Sequence, residues 1–264
     1  MKALFFDIDG TLVDSQIGIH QIPTGVIEQL KKIQSMGHKI FICSGRPKKM
    51  LDEQFLQSYF DGYVLFNGGY VEIDNHAIFQ NTMDYDVLKQ LCTLLDELKA
   101  EYMIETANAI YINSKDTVLY RFFTQIGHKD MFTTEFDLDE VLHHAIKLEC
   151  NNTNDDVEKI QKCISQHFSH TLGGDQHGTE NSFEIFPSDI SKAVGIEKVL
   201  EYYGIDKKDT YAFGDGLNDM EMFSCVGTSV AMGNAVDELK KVATLACKPI
   251  GENGLEEILK ELFD

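Results

Sequence analysis

The run Lys2-Ala3-Leu4-Phe5-Phe6 is apolar after its first residue and stops abruptly at Asp7-Ile8-Asp9-Gly10-Thr11-Leu12. A short apolar run of this kind makes a strand buried on both faces, as in a parallel sheet covered by helices. Asp7 and Asp9 then both lie near the carboxyl end of that strand, where open α/β sheets place their ligands, and Gly10 lets the backbone turn away closely. Two carboxylates this near each other repel unless a cation or a proton comes between them. Taken alone, the string is also compatible with a plain acidic turn. An EF-hand loop is disfavoured because the third ligand, the glycine spacing and the distal glutamate do not follow.

The rest of the chain narrows the choice. Its 264 residues allow one large domain or two modest ones. No apolar run approaches the roughly 18 to 20 residues that span a bilayer, and Asp7 and Asp9 cut short what could have been a secretory signal; a cytoplasmic protein is expected. Six cysteines are spread without a C-x-x-C pair, and the nine histidines show no H-E-x-x-H spacing, so reduced thiols are expected rather than a disulfide frame or a zinc site. A net charge of −20 repels nucleic acid and anionic membranes, so neither is an expected partner. An anionic substrate would need that repulsion cancelled locally by a metal and a placed cation.

Along the chain, Thr24 can cap a helix running to about Met36, with Gly37 at its end. Lys39-Ile40-Phe41-Ile42-Cys43 then repeats the first strand and ends in Ser44-Gly45-Arg46-Pro47. This is a right-handed βαβ unit, and it brings Ser44 and Gly45 beside Asp7, where a hydroxyl and a bare amide suit a phosphoryl oxygen. Arg46 stands out because Arg46 and Arg121 are the only arginines among 23 lysines and arginines, which points to a use for its planar fork. A helix over about Lys48 to Tyr59, a strand Tyr63 to Phe66 closed by Asn67-Gly68-Gly69, and a hairpin turning at Asp74-Asn75 are expected next.

From about Thr82 to Pro187 the texture changes to mixed short strands and helices. The helices cover Tyr85 to Ala100 and Asp155 to Phe168, and a glycine-rich loop over 171–178 reads as a turn region. We read residues 82–187 as an inserted α+β domain and residues 1–81 with 188–264 as a discontinuous Rossmann-like, doubly wound α/β core. After Pro187 the βα rhythm resumes. Ser191 can cap a helix whose first turn carries Lys192, where a nearby anion would offset the unfavourable dipole. The strand Thr210 to Phe213 then runs into a second acidic turn, Gly214-Asp215-Gly216-Leu217-Asn218-Asp219.

Strand ends carrying Asp7 and Asp9, Ser44 and Gly45, and Asp215 with Asn218 and Asp219, plus Lys192, supply what phosphoryl transfer needs: a nucleophile, a proton carrier, a cation site and phosphate anchors. In these strings the whole chain resembles the haloacid dehalogenase-like hydrolases, and more closely the Cof-type phosphatases with a large cap inserted between the second and third motifs. Asp7-Ile8-Asp9-Gly10-Thr11 looks like the family's first motif, Ser44 its second, Lys192 its third, and Gly214 to Asp219 its fourth.

The resemblance implies that Asp7 attacks phosphorus to form an aspartyl phosphate, while Asp9 protonates the leaving alkoxide and then activates water. It implies Mg²⁺ held by Asp7, the Asp9 carbonyl and Asp215, with Asp219 in the layer behind and Thr11 bracing the turn. Ser44, Gly45, Lys192 and Asn218 would hold phosphoryl oxygens. The cap would meet the leaving portion of a small phosphorylated metabolite, a sugar phosphate by family expectation. A phosphomannomutase-like transferase and a non-catalytic phosphate or divalent-cation binding protein are the alternatives.

Overall fold

The computed structural model describes residues 1–125, 129–151, 157–164, 167–173 and 182–264. They divide into two units, one of Met1–Arg46, Leu51–Phe79 and Ser191–Asp264, the other of Pro47–Met50 and Gln80–Ile190. The first unit begins with β1 (Ala3–Phe6), α1 (Thr24–Ser35) and β2 (Lys39–Cys43), followed by β3 (Gly62–Leu65), β4 (Tyr70–Ile73) and β5 (His76–Gln80). Pro23, not Thr24, holds the position before α1, because its extended backbone leaves Thr24 as the first helical residue. The turn between β4 and β5 has positive φ at Asp74 and Asn75, as a two-residue hairpin requires.

No helix spans 48–59. Two 3₁₀ turns, Lys48–Met50 and Glu53–Leu56, stand there instead. Tertiary hydrogen bonds replace the helical ones: Ile22 N donates to Gln54 Oε1 at 2.8 Å, Gln54 Nε2 donates to His20 O at 2.8 Å, and Tyr59 OH donates to Gln54 O at 2.9 Å. Local propensity is a weak prior beside such contacts.

The second unit holds α2 (Tyr85–Glu97), β6 (Glu101–Thr106), β7 (Ile110–Ile112), α3 (Val118–Gln125), β8 (Phe132–Thr133), α4 (Leu138–Leu142), β9 (Ala145–Asn151), α5 (Val157–Ile164), β10 (Phe168–Gly173) and β11 (Ser182–Pro187). Its sheet runs β10-β11-β9-β6-β7-β8. The start of the second expected helix at Asp155 and most of the glycine-rich loop lie outside the described residues. Helices α2, α4 and α5 bury Leu88, Leu91, Leu95, Leu142 and Ile160 against Ile104, Leu148, Phe183 and Ile185 on one sheet face.

The opposite face of that sheet is polar at its centre although it is buried. Glu105 on β6 is paired in register with Lys147 on β9, and Glu184 on β11 with Glu149. Lys147 Nζ lies 3.1 Å from Glu105 Oε1 and 3.3 Å from Glu184 Oε1. Burial pushes Glu105 up to about 7, against the pull of Lys147 and with Glu149 and Glu184 adding repulsion.

The first unit resumes with α6 (Lys192–Tyr203), β12 (Thr210–Gly214), α7 (Met220–Cys225), β13 (Thr228–Ala231), α8 (Asp237–Val242), β14 (Leu245–Ala246) and α9 (Gly254–Phe263). The complete sheet is ordered β14-β13-β12-β1-β2-β3-β4-β5, parallel from β14 to β3 and antiparallel where β3 meets β4. Both faces are covered. Tyr211 meets Phe263 of α9 on one side, and Phe41 meets Tyr203 of α6 on the other. Tyr211 aligns with Leu4 and Phe41 with Phe5, and successive residues of β1 point to opposite faces. Leu4, Phe5 and Phe6 are wholly buried, each worth about 1.5–3 kcal/mol, and Phe6 stacks on Phe213 at 4.5 Å. The central strand is thereby pinned, and so is the point where it releases Asp7.

The raised pKa of Glu105 carries a pH signature. The folded state holds its proton to about pH 7, while the unfolded chain releases it near 4.5, so this contribution to stability is present below about pH 4.5 and lost as pH rises through 7. Glu105→Gln should therefore lose about 2 kcal/mol less stability than the native protein between pH 5 and pH 8, read by urea denaturation at both values. Parallel pH profiles for the two proteins would refute the assignment.

Candidate active site

The parallel register decides which residues meet. Phe6 pairs with Ile42 on one side and Phe213 on the other, so Asp7 emerges one residue beyond that row, and Ser44 and Asp215 two residues beyond their strands' partners. Asp7 N still donates to Phe213 O at 3.0 Å, which holds the carboxylate at the sheet edge. Ser191 ends the approach to α6, its Oγ accepting from Val194 N, and the first helical side chain, Lys192, turns inward.

Lys192 is the hub. Its side chain is fully buried, and Nζ donates to Asp7 Oδ1 at 2.6 Å and to Asp219 Oδ1 at 2.5 Å. Burial alone would lower the ammonium's pKa, but Asp7 and Asp219 outweigh it and hold Lys192 above the usual lysine range. The second oxygen of Asp219 accepts from Asp215 N at 2.9 Å and Gly216 N at 3.0 Å, closing the turn after β12. Both oxygens of Asp219 are thus engaged by the protein.

One carboxylate oxygen from each of Asp7, Asp215 and Asp219 lies within 4.8 Å of the others. Burial pushes Asp7 up to about 8, against the pull of Lys192 and with repulsion from Asp219 and Asp215. It likewise pushes Asp215 up to about 7, against the hydrogen bond from Thr11. Acid thus exceeds base in a buried space, which is the condition a divalent cation relieves by binding carboxylate oxygens. With Asp219 bound to Lys192 and to two amides, Asp7 and Asp215 are the carboxylates with oxygens to offer.

Thr11 is wholly buried and donates from Oγ1 to Asp215 Oδ1 at 3.0 Å. Gly10 has φ +86°, and a Cβ there would run into the Asp215 carboxylate, so the turn requires glycine on both counts. Asn234, which no motif singled out, holds the same turn from another loop. Its Nδ2 donates to Gly10 O at 2.8 Å, and its Oδ1 accepts from Ile250 N at 3.1 Å.

Asp9 lies outside this buried group. Its side chain is 57% exposed and sits in the fork of Arg46, with Nε to Oδ2 at 2.9 Å and a terminal nitrogen to Oδ1 at 2.6 Å. This bidentate pair is the use of a planar guanidinium that the scarcity of arginine had pointed to. Ser44 is buried at the end of β2, its Oγ accepting from Arg46 N at 3.2 Å. Gly45 has the amide of Asn67 alongside it. Asn218 is exposed on the 3₁₀ turn Leu217–Asp219, with its Oδ1 close to Gly216. Every residue singled out in the sequence therefore lies at the carboxyl edge of one sheet. Asp7, Lys192, Asp215, Asp219 and Thr11 form a connected set, and Asp9, Ser44, Gly45 and Asn218 surround it.

No helix among the described residues is long and apolar enough to cross a membrane. A family model for haloacid dehalogenase-like hydrolases matches residues 4–259. YkrA of Bacillus subtilis is 33% identical, covering 99% of this chain and 97% of its own. The 5-amino-6-(5-phospho-D-ribitylamino)uracil phosphatase YitU of the same organism is 28% identical over 97% of this chain and 96% of its own. Among solved structures, the HAD subclass IIB sugar phosphatase BT4131 superposes with a TM-score of 0.82 at 26% identity, covering 99% of each chain.

Replacing Lys192 with Met should cost about 3–5 kcal/mol at pH 8, because it leaves two buried carboxylates without their counter-ion. The cost should shrink at pH 5.5, where Asp7, its carboxyl pushed up by burial, takes up a proton. Urea denaturation at the two pH values reads both, and an equal cost at each would show that the charge pairing is not what the lysine provides.

Proposed function

The chain belongs to the haloacid dehalogenase-like hydrolases and is a phosphatase of that family, and on that premise we propose that it hydrolyses small phosphorylated metabolites through a phosphoryl group carried on Asp7. The observation that carries this reading is the contrast between two carboxylates two residues apart. Asp7 is buried and hydrogen-bonded to Lys192, whereas Asp9 is open to solvent. A nucleophile needs a fixed position and a reduced electrostatic barrier toward an anionic ester. A proton carrier needs access to the leaving oxygen and to water.

In the first step an Asp7 oxygen attacks phosphorus, the bond from phosphorus to the ester oxygen breaks, and Asp9 delivers a proton to the departing alkoxide. In the second step Asp9 takes a proton from water, whose oxygen attacks phosphorus and releases phosphate and free Asp7. Ser44 Oγ, the Gly45 amide, Lys192 and Asn218 are the donors we assign to the phosphoryl oxygens. Arg46 holds the ionised Asp9 by its fork, and that pair opens when Asp9 carries the proton to the leaving oxygen. Water as the final acceptor is favoured by a proton carrier at position 9 that can act in both directions.

Asp7 and Asp215 are the side chains we assign to a divalent cation, with Asp219 and Thr11 orienting them, and Mg²⁺ is the ion proposed. When bound, it would neutralise the charge that builds between the Asp7 carboxylate and a phosphate dianion. The raised pKa values of Asp7 and Asp215, about 8 and 7, mean that cation binding must displace protons at neutral pH. Affinity for Mg²⁺ should accordingly rise between pH 6 and pH 8.5 with release of protons, measured by calorimetry in buffers of different ionisation enthalpy. Binding that is flat across this range would rule these carboxylates out as the ligands.

A sugar phosphate is the substrate class we propose, supported by the likeness to BT4131, with phosphorylated heterocyclic metabolites of the kind YitU is named for next. Phosphate release from a panel of both classes, with Mg²⁺ or with chelator, tests the whole reading. Release should require the metal, disappear in Asp7→Asn, and fall by about 10²–10⁴-fold in Asp9→Asn. A folded protein that binds Mg²⁺ yet releases phosphate from no compound would defeat it.

A further inference from the structure

The chain leaves β3 through three consecutive residues of left-handed backbone: Phe66, Asn67 and Gly68, with φ of 54°, 51° and 97°. Glycine takes this conformation freely and asparagine tolerates it, but for a buried phenylalanine it is an outlier. The surroundings enforce it. Asn67 N donates to Ser44 O at 3.1 Å, Phe66 N donates to Arg46 O at 3.4 Å, and a Cβ on Gly68 would strike Ser191 O, the residue before Lys192. The strained turn is thus clamped between the second strand end of the site and the start of the lysine helix. Strain held this firmly at a ligand site calls for a functional explanation.

The Asn67 side chain supplies one. A left-handed asparagine ordinarily hydrogen-bonds its own turn, but among the described residues this amide has no partner: Oδ1 is enclosed without a donor, and Nδ2 has no acceptor. It stands against Gly45 so closely that a Cβ on that glycine would lie 3.0 Å from Oδ1 and 3.2 Å from Nδ2. The turn geometry therefore presents an unused donor beside the bare amide of Gly45, one residue beyond Ser44. An anion is the ligand chemistry such neutral donors gather around.

We propose that Asn67 is a further substrate-contacting residue, whose Nδ2 donates to a phosphoryl oxygen alongside the Gly45 amide. The proposal rests on the phosphatase reading but can fail separately from it. A purely structural hydrogen-bonding role for the amide would require a partner, and it has none among the described residues.

The probe is inorganic phosphate, titrated by calorimetry into the full chain with Mg²⁺ present. Asn67→Gly removes the amide while keeping the left-handed backbone, and Asn67→Asp keeps the shape but replaces the donor with an anionic acceptor. The dissociation constant for phosphate should rise about tenfold in Asn67→Gly and further in Asn67→Asp, with melting temperatures close to native. KM should rise by the same factor for every phosphate ester, whatever its leaving group. Equal phosphate binding by native and Asn67→Gly would overturn the proposal. So would native-like binding by Asn67→Asp, no binding by the native protein, or a loss confined to esters with bulky leaving groups. A native protein that binds phosphate, loses it in the ordered way above, and yet hydrolyses no ester would support Asn67 while refuting the hydrolase reading.

Discussion

The hydrogen bonds from Lys192 to Asp7 and Asp219 join parts of the chain 185 and 27 residues apart, and the rest of the site is arranged around them. Taking an ammonium and two carboxylates out of water costs several kcal/mol per ion, and their mutual attraction repays this only when the geometry is close and the remaining lone pairs are satisfied. Both conditions are met at Asp219, whose second oxygen takes two backbone amides. At Asp7 they are met less fully, and its pKa rises accordingly. The imbalance falls on the carboxylate assigned to the chemistry, while the one beside it is satisfied and structural.

Such a cluster needs a rigid frame, and the apolar strands provide it. Phe5 stacks on Phe41 and Phe6 on Phe213, so β1, β2 and β12 share their burial across the row directly beneath the acidic turn. The polar groups are then held by short loops with little freedom: Gly10 packed against Asp215, Asn234 holding Gly10, and Asn67 packed against Gly45. The left-handed run at 66–68 makes the same point from the other side. A backbone that costs free energy persists only because both of its ends are tied to site elements.

Much of this was legible before any coordinates. A buried strand that ends in Asp-x-Asp-Gly, and another that ends in Gly-Asp-Gly-x-Asn-Asp, can come to one edge only in a parallel sheet, and the βα rhythm between them gave the strand directions. Ser191 and Lys192 were legible because a capping residue followed by an N-terminal lysine is an electrostatic oddity. The stretch 48–59 has helical composition yet forms no α-helix, because Gln54 spends its hydrogen-bonding groups on His20 and Ile22 rather than on its own turn. Asn234 and Asn67 carried no signal, since an asparagine beside glycine reads as a turn whatever else its amide does.

The sequence by itself determined the class of chemistry and singled out the residues proposed to carry it, because strand ends, caps and acidic turns are local patterns written in a few adjacent positions. Tertiary structure alone decided how those residues are divided. It buried Asp7 beside Lys192, left Asp9 open in the fork of Arg46, committed both oxygens of Asp219 to the protein, and turned the amide of Asn67 toward Gly45. Those outcomes depend on desolvation and on contacts between segments far apart in the chain, and neither quantity exists until the sheet has assembled.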